Sequence, residues 1–328
     1  MLDLVIIGAG PIGLEAAIRA KRAGLRYRVV EKGALVHAIY RYPTYMTFFT
    51  TSERLEIGGH PLVTATDKPT RKEALDYYRK VAHAEALEIE AFSEVTALTR
   101  EPDGFTLDVR GSGGEERTLR ARHVALATGY FDQPNRLGVP GEDLAHVSHY
   151  YDEAHPYYGR DVVIVGAGSS AADAALDLYR AGARVTMVHR GDDFRHSLKY
   201  WIRPNLENRV KEGAITAHFR TVVREISADA VVAEKDGRTL RVPADRVFLL
   251  TGYHASDALL RQVGAVVDPE TLAAQLDEHY QTSVPGLYCI GSAGFGRRTS
   301  DVFIENGLVH AVRAIEHVAE RVGQASDA

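Results

Sequence analysis

Two stretches of this 328-residue chain repeat one pattern, and that repetition restricts the fold more than any other feature of the sequence. The first, "LDLVIIGAGPIGL", runs from a continuous apolar segment at residues 2 to 7 into Gly8, Gly10 and Gly13, a G-x-G-x-x-G spacing. Helical periodicity follows over Gly13 to Ala23, with Leu14, Ala17 and Ile18 on one face, and "YRVVEK" then reads as a second strand. An apolar run without alternation marks a strand covered on both faces, so the stretch is a βαβ unit of a parallel sheet. In such a unit the second glycine lets the backbone approach a pyrophosphate, and the third lets helix and strand pack closely. The helix N-terminus adds N–H groups and the positive end of a dipole. Glu31 ends the second strand, where a carboxylate can accept hydrogen bonds from both ribose hydroxyls. A dinucleotide site is expected from Gly8, Gly10, Pro11, Ile12, Gly13, Glu31 and the adjoining Lys32.

The pattern recurs in "DVVIVGAGSSAADAALDLYRAGARVTMVHR", with Gly166 and Gly168 in register, Ser169 and Ser170 opening the helix, and Ala171 in place of the third glycine. Here the second strand ends in His189 and Arg190, with Arg195 close by. A carboxylate would repel a 2′-phosphate, whereas arginines can hold one by charge-assisted hydrogen bonds of roughly 1.5 to 3 kcal/mol. This second site is expected to prefer NADPH to NADH.

Composition narrows the class. The length suits two domains of roughly 100 to 200 residues. A charged fraction of 25%, a net charge of -5 and no basic stripe exclude a nucleic-acid binder. No apolar run approaches the about 18 residues of a membrane span, and the apolar start has no basic flank, so a soluble, cytoplasmic protein is expected. The single cysteine, Cys289, rules out both an internal disulfide and a C-x-x-C redox pair. The 14 histidines show no metal-ligand spacing, and no metal is expected.

Further apolar strands lead to chemistry-bearing turns. "HVALATGYF" runs to Thr128 and Gly129, "RVFLLTGYH" to Thr251, Gly252 and Tyr253, and the stretch from 284 to 294 to Gly291 and Ser292. A helix from about 301 to 322 follows, with Ile304, Leu308, Ala311, Ile315 and Val318 on one face. Residues 130 to 160, carrying Pro134, Pro140 and Pro156 without helical period, read as the crossing between domains.

This order of parts resembles the two-domain flavoproteins of low-molecular-weight thioredoxin reductase type. The resemblance implies an α/β fold of two Rossmann-like dinucleotide-binding domains, FAD on the first and NADPH on the second. It also implies a split FAD domain, 1–130 and 255–328, around a crossing segment and inserted NADPH domain at 131–254. Within that superfamily the wording is most similar to YpdA-type bacillithiol disulfide reductases, in "YPTYMTFFTTSERLEIGG", "GYFDQPNRLGVPGEDL", "HYYDEAHPY", "SLKYWIRPN" and "IENG". Carried over residue by residue, it adds Val95, Thr128, Gly129, Gly291 and Ser292 to the FAD site and Gly252 to the NADPH site.

Three departures matter. The positions matching the thioredoxin reductase cysteine pair hold His149 and Asp152, so a dithiol relay to thioredoxin is excluded. Many YpdA-type sequences carry a cysteine just before the third FAD glycine, where this chain has Ile12. Many relatives hold an aspartate for the flavin ribityl chain where this one has Ser292. The resemblance thus implies a homodimeric FAD-dependent NADPH oxidoreductase that reduces bacillithiol disulfide or a similar small disulfide through the flavin alone. The alternative is a ferredoxin or flavodoxin NADP reductase, which also needs no thiol. A flavin monooxygenase is disfavoured because Gly141 and His146 miss that family's F-x-G-x-x-x-H spacing. A non-catalytic dinucleotide-binding flavoprotein is a further minor reading.

Overall fold

The computed structural model describes residues 1–196 and 198–326. The chain begins with β1 (Leu2–Ile7), α1 (Pro11–Arg22), β2 (Tyr27–Val30), α2 (His37–Tyr40), α3 (Arg71–Ala84), β3 (Ile89–Glu90), β4 (Ser93–Glu101), β5 (Gly104–Gly111) and β6 (Glu116–Leu126). It continues with β7 (Val147–Ser148), β8 (Asp161–Val165), α4 (Ser169–Arg180), β9 (Arg184–Val188), α5 (Arg203–Lys211), β10 (Thr216–His218), β11 (Thr221–Ile226), β12 (Ala230–Lys235), β13 (Arg238–Pro243) and β14 (Arg246–Leu249). Helix α6 (Ala258–Gln262), β15 (Leu287–Cys289) and α7 (Ile304–Ser326) complete it. Two compact units result. One comprises Met1–Tyr40, Met46–Gln133 and Tyr253–Ala328, the other Arg41–Tyr45 and Pro134–Gly252.

In the first unit β6 belongs to two structures at once. Its N-terminal half pairs antiparallel with β5, and β5 with β4, to make a meander. Its C-terminal half is parallel to β1 on one side and to β15 on the other. The parallel part therefore runs β3-β2-β1-β6-β15. Both faces are covered. Val5, Ile7, Val30 and Leu126 join the meander's Leu107 and Val109 in one core, while Leu4 and Ile6 are fully buried with Leu14 and Ile18 of α1.

The second unit repeats the plan with an all-parallel sheet, β10-β9-β8-β14-β7, and an antiparallel meander, β11-β12-β13. Strand β8 alternates its apolar side chains between two cores: Val162 and Ile164 join the alanine-rich face of α4, and Val163 and Val165 join the meander. That division explains its unbroken apolar run.

Residues 130 to 160 are not merely a crossing. Strand β7 enters the second sheet beside β14, and Tyr151 and Ala154 are buried in the core that α4 caps. Tyr151 packs edge-on to Phe248 at 5.3 Å, and its hydroxyl donates to the Asp177 carboxylate of α4 at 2.5 Å. The proline-rich composition hid this role because it has no period. Arg41–Tyr45, which the sequence reading kept within 1–130, groups with the second unit; there the Thr44 N–H donates to the Asp152 carbonyl, and the Arg41 guanidinium lies 3.7 Å over the Tyr150 ring.

The terminal helix starts at Ile304, later than the expected 301, because the Asn306 side chain accepts from the Phe303 N–H and donates to the Asp301 carbonyl, closing a turn ahead of it. Its buried face is Gly307, His310, Ala311, Ala314, Ile315 and Val318. Removing the buried phenol by Tyr151→Phe should cost the second unit about 1.5 to 3 kcal/mol, the range for a hydrogen bond to a charged group. Urea denaturation followed by the fluorescence of Trp201 would measure it.

Candidate functional site

Each unit carries a candidate site at the C-terminal ends of its parallel strands. In the first, the three glycines meet three different demands. Gly8 has φ +110°, and a Cβ there would lie 2.5 Å from the Ala127 carbonyl oxygen. A Cβ on Gly13 would come 2.0 Å from the Gly8 oxygen, so only glycine allows α1 this close to its strand. A Cβ on Gly10 would meet nothing within 4 Å. The first and third glycines are thus required by the protein's own backbone, and the second leaves open space where a ligand can approach. Helix α1 begins on Pro11 with no side-chain cap, so the Ile12 and Gly13 N–H groups face outward from its N-terminus.

Glu31 is buried, and its two oxygens are oriented before any ligand arrives. One accepts from the Ala9 N–H and the other from the Gly33 N–H, both at 2.8 Å. A carboxylate held in this way still has lone pairs for hydroxyl donors. The sequence pattern points to Glu31 but not to Ala9 and Gly33, because backbone donors leave no mark in composition. Lys32 is exposed and pairs with Asp132 at 2.9 Å, linking the end of β2 to the segment after β6. Thr128 and Gly129 follow β6, and Gly291 and Ser292 follow its neighbour β15. A Cβ on Gly129, at φ +65°, would lie 4.0 Å from Ser292 Oγ, so the two turns adjoin. Val95 is half-buried against the same core at the irregularity in β4.

Ile12 packs against protein. A Cβ added to Gly291 would lie 3.1 Å from Ile12 Cγ1, and one added to Gly307 would lie 3.1 Å from Ile12 Cδ1. The side chain therefore wedges between the turn after β15 and helix α7, and what residue 12 presents at the helix N-terminus is its backbone N–H. Cys289 is fully buried in β15, where burial pushes its thiol up to about 12.

The second site has the same backbone with other chemistry. Gly166 has φ +136°, and its Cβ would approach the Leu250 carbonyl oxygen at 2.3 Å. Ala171 stands in the place of the third glycine and is fully buried, so α4 packs against its strand with a methyl there. A Cβ on Gly168 would have only Arg195 Cδ within 4 Å, at 3.8 Å. Helix α4 begins at Ser169 with no side-chain cap; the Ser169 hydroxyl accepts from the Lys199 N–H at 3.3 Å, and Ser170 is exposed. The Arg195 N–H donates to the Ala167 carbonyl, which holds Arg195 beside the helix N-terminus.

At the end of β9, burial together with the charges of Arg195 and Arg190 pushes the His189 imidazole below its ordinary value, so the three side chains form one cluster. Arg190 and Arg195 are both exposed, and neither has a carboxylate partner among the described residues. Gly252, at φ +91°, closes the turn after β14, where its carbonyl accepts from the Asn135 N–H at 2.9 Å.

Two dinucleotide-binding units in one chain define a class, the nucleotide-dependent oxidoreductases with a thioredoxin reductase-like architecture. The chain belongs to the pyridine nucleotide-disulphide oxidoreductase family, whose model matches residues 5–291. It is an FAD-dependent NADPH oxidoreductase. It is 39% identical to the bacilliredoxin reductase of Bacillus subtilis (strain 168) over 320 residues, 97% of either chain. Among solved structures it is similar to the bacillithiol disulfide reductase of Bacillus cereus, with a TM-score of 0.95 and 39% identity over 98% of this chain and 99% of that one. The bacillithiol disulfide reductase of Staphylococcus aureus matches with a TM-score of 0.91 and 38% identity, covering 98% of each. No helix among the described residues is long and apolar enough to cross a membrane.

The state of Cys289 is directly measurable. With a thiol near 12, the thiolate fraction at pH 8 is on the order of one in ten thousand, and the sulfur is also out of reach of solvent. Iodoacetamide should leave the folded chain unmodified over hours at pH 8 and label the urea-denatured chain within minutes, as read by intact mass.

Proposed function

We propose that the chain is a cytoplasmic, homodimeric reductase that takes two electrons from NADPH and delivers them to a low-molecular-weight disulfide, with bacillithiol disulfide as the candidate acceptor. The observation that carries this reading is the unlike chemistry at the ends of two like strands. Strand β2 closes on the buried, pre-oriented carboxylate of Glu31, and β9 closes on Arg190 and Arg195. A carboxylate suits ribose hydroxyls and repels a 2′-phosphate, while arginines attract one. FAD therefore belongs to the first site and NADPH to the second. FAD, once bound, supplies a two-electron carrier between a nicotinamide and a disulfide.

The chain's own residues bind and orient. Gly10 leaves room for the FAD pyrophosphate, the Ile12 and Gly13 N–H groups face it, and Glu31 takes the ribose. Lys32, through its pair with Asp132, and Val95 border the adenosine side, and Gly129 and Ser292 border the ribityl side. In the second site Gly168, Ser169 and Ser170 receive the NADPH pyrophosphate, Gly252 lines the nicotinamide end, and His189, Arg190 and Arg195 hold the 2′-phosphate. The overall reaction consumes NADPH, one proton and the disulfide, and yields NADP and two thiols. No thiol of the chain takes part, since the only one is buried and protonated.

Support for the acceptor comes from the names of the 39% identical relatives, one a bacilliredoxin reductase and the other a bacillithiol disulfide reductase. A second reading, electron delivery to ferredoxin or flavodoxin, is favoured by the lack of any reactive thiol. Anaerobic reduction by NADPH, followed by competition among bacillithiol disulfide, ferredoxin and flavodoxin as oxidants, separates the two. Preferential reoxidation by either protein would displace the disulfide reading.

Two substitutions test the order of the sites. Arg190→Ala should narrow the NADPH over NADH preference about tenfold or more, the loss of one charge-assisted contact worth roughly 1.5 to 3 kcal/mol. Unchanged kcat/KM ratios would remove Arg190 from the site. Gly168→Val should abolish reduction by NADPH and leave the yellow colour of bound FAD, and loss of FAD instead would reverse the order. Cys289→Ser should spare both flavin reduction and disulfide turnover; loss of turnover alone would make Cys289 the redox residue.

A further inference from the structure

Beyond the glycine turns, the two units share a second backbone repeat, at the outer edge of each candidate site. In the first unit the chain leaves β3 and stays bonded to the end of β2. The Glu31 N–H donates to the Glu90 carbonyl, the Ser93 N–H to the Glu31 carbonyl and the Phe92 N–H to the Gly33 carbonyl, at 2.8, 2.9 and 3.1 Å. In the second unit the chain leaving β10 does the same at the end of β9. The His189 N–H donates to the His218 carbonyl, the Thr221 N–H to the His189 carbonyl and the Arg220 N–H to the Gly191 carbonyl, at 2.9, 3.0 and 2.7 Å. Position for position, Phe92 corresponds to Arg220, Gly33 to Gly191 and Glu31 to His189.

Both Phe92 and Arg220 are left-handed, at φ +57° and +50°. Glycine would hold that conformation without steric cost, whereas a large side chain there is strained. Such an outlier persists where its neighbours over-determine the backbone, and it directs attention to what the side chain does. Burial does not hold either side chain: Phe92 is 55% exposed and the Arg220 side chain 65%. The carboxylate that Arg220 meets, Asp236 at 3.7 Å, is itself mostly exposed, and a solvated pair of that length is weak. The residue type at this point follows the strand end beside it. An uncharged phenylalanine stands next to the strand that closes on the Glu31 carboxylate, and a guanidinium next to the strand that closes on Arg190. Arg190 lies between His189 and Gly191, the two residues whose carbonyls accept from Thr221 and Arg220, so the segments that carry Arg190 and Arg220 run side by side.

We propose that Arg220 is a specificity-determining residue of the second site, a further cation for the 2′-phosphate of NADPH beside Arg190 and Arg195. This assignment rests on the placement of NADPH in the second unit. The guanidinium exchanges a weak, solvent-screened contact with Asp236 for a phosphate, which carries more charge and matches its planar fork. The corresponding point of the first unit needs no cation, because the ribose hydroxyls that Glu31 would take carry no phosphate.

Anaerobic stopped-flow reduction of the FAD-loaded protein by limiting NADPH or NADH reads this preference without any electron acceptor. Arg220→Gly removes the guanidinium and suits the left-handed backbone, and Arg220→Glu reverses the charge. The ratio of the second-order rate constants for flavin reduction, NADPH over NADH, should fall about two- to tenfold in Arg220→Gly and further in Arg220→Glu. The gap between wild type and Arg220→Gly should narrow as ionic strength rises from about 0.05 to about 0.5 M, because an exposed charge is screened by salt. An unchanged ratio in both variants would overturn the inference alone. So would rates lowered alike with both reductants, the mark of a general structural role or of a contact to the shared pyrophosphate. A wild-type protein reduced equally well by NADPH and NADH would overturn the nature of the second site and this inference together.

Discussion

The first site depends on the closeness of α1 to the loop that leaves β1. A side chain on Gly13 would collide with the Gly8 carbonyl oxygen at 2.0 Å, so the helix axis is set by a backbone-to-backbone contact that no other residue permits. Much of the site follows from that contact. The uncapped N-terminus of α1 is brought over the strand end, Ala9 comes within 2.8 Å of Glu31, and Ile12 is carried between Gly291 and Gly307. Each of these joins a different segment to the same turn: β2 through Glu31, the turn after β15 through Gly291, and α7 through Gly307. The site is assembled from residues far apart in sequence because one helix is held at one distance.

The second unit shows what changes when the third glycine is absent. Ala171 stands where the third glycine would be, and α4 presents a face of small residues, Ala171, Ala172, Ala174 and Ala175, all buried in the unit's core. The open second glycine and the uncapped helix N-terminus recur nonetheless. What differs is the side-chain chemistry at the end of the second strand. A carboxylate pinned by two N–H groups and a pair of arginines without carboxylate partners among the described residues give opposite fields at equivalent points of one fold.

Much of this was legible in the sequence because periodicity and glycine spacing report backbone constraints directly. The apolar run 2 to 7 and the stretch after Asp161 became β1 and β8 with the expected helices behind them. Three features left no such trace. The two meanders have strands exposed on one face, so their apolar content is diluted. The 130–160 segment contributes Tyr151 and Ala154 to a core through isolated residues separated by prolines and polar groups, a pattern with no period to detect. On α7 the expected Ala311, Ile315 and Val318 are buried and Ile304 and Leu308 half-buried, but the buried face also takes in Gly307, His310 and Ala314. A hydrophobicity pattern cannot count a glycine or a histidine as buried surface, although close packing against Ile12 and stacking on Tyr280 bury both.

The same packing encloses the one thiol. Cys289 lies between Leu287 and the Gly291 turn in a fully buried strand, with Gly294 so near that a methyl there would come 2.8 Å from the cysteine Cβ. Desolvation disfavours the thiolate, and the thiolate is the form that attacks a disulfide. To expose this sulfur, the structure would have to open the turn that carries Ser292. A thiol relay through Cys289 would therefore dismantle part of the first site in order to operate. The burial of the one cysteine and the order of the turn that carries Ser292 are two results of the same packing.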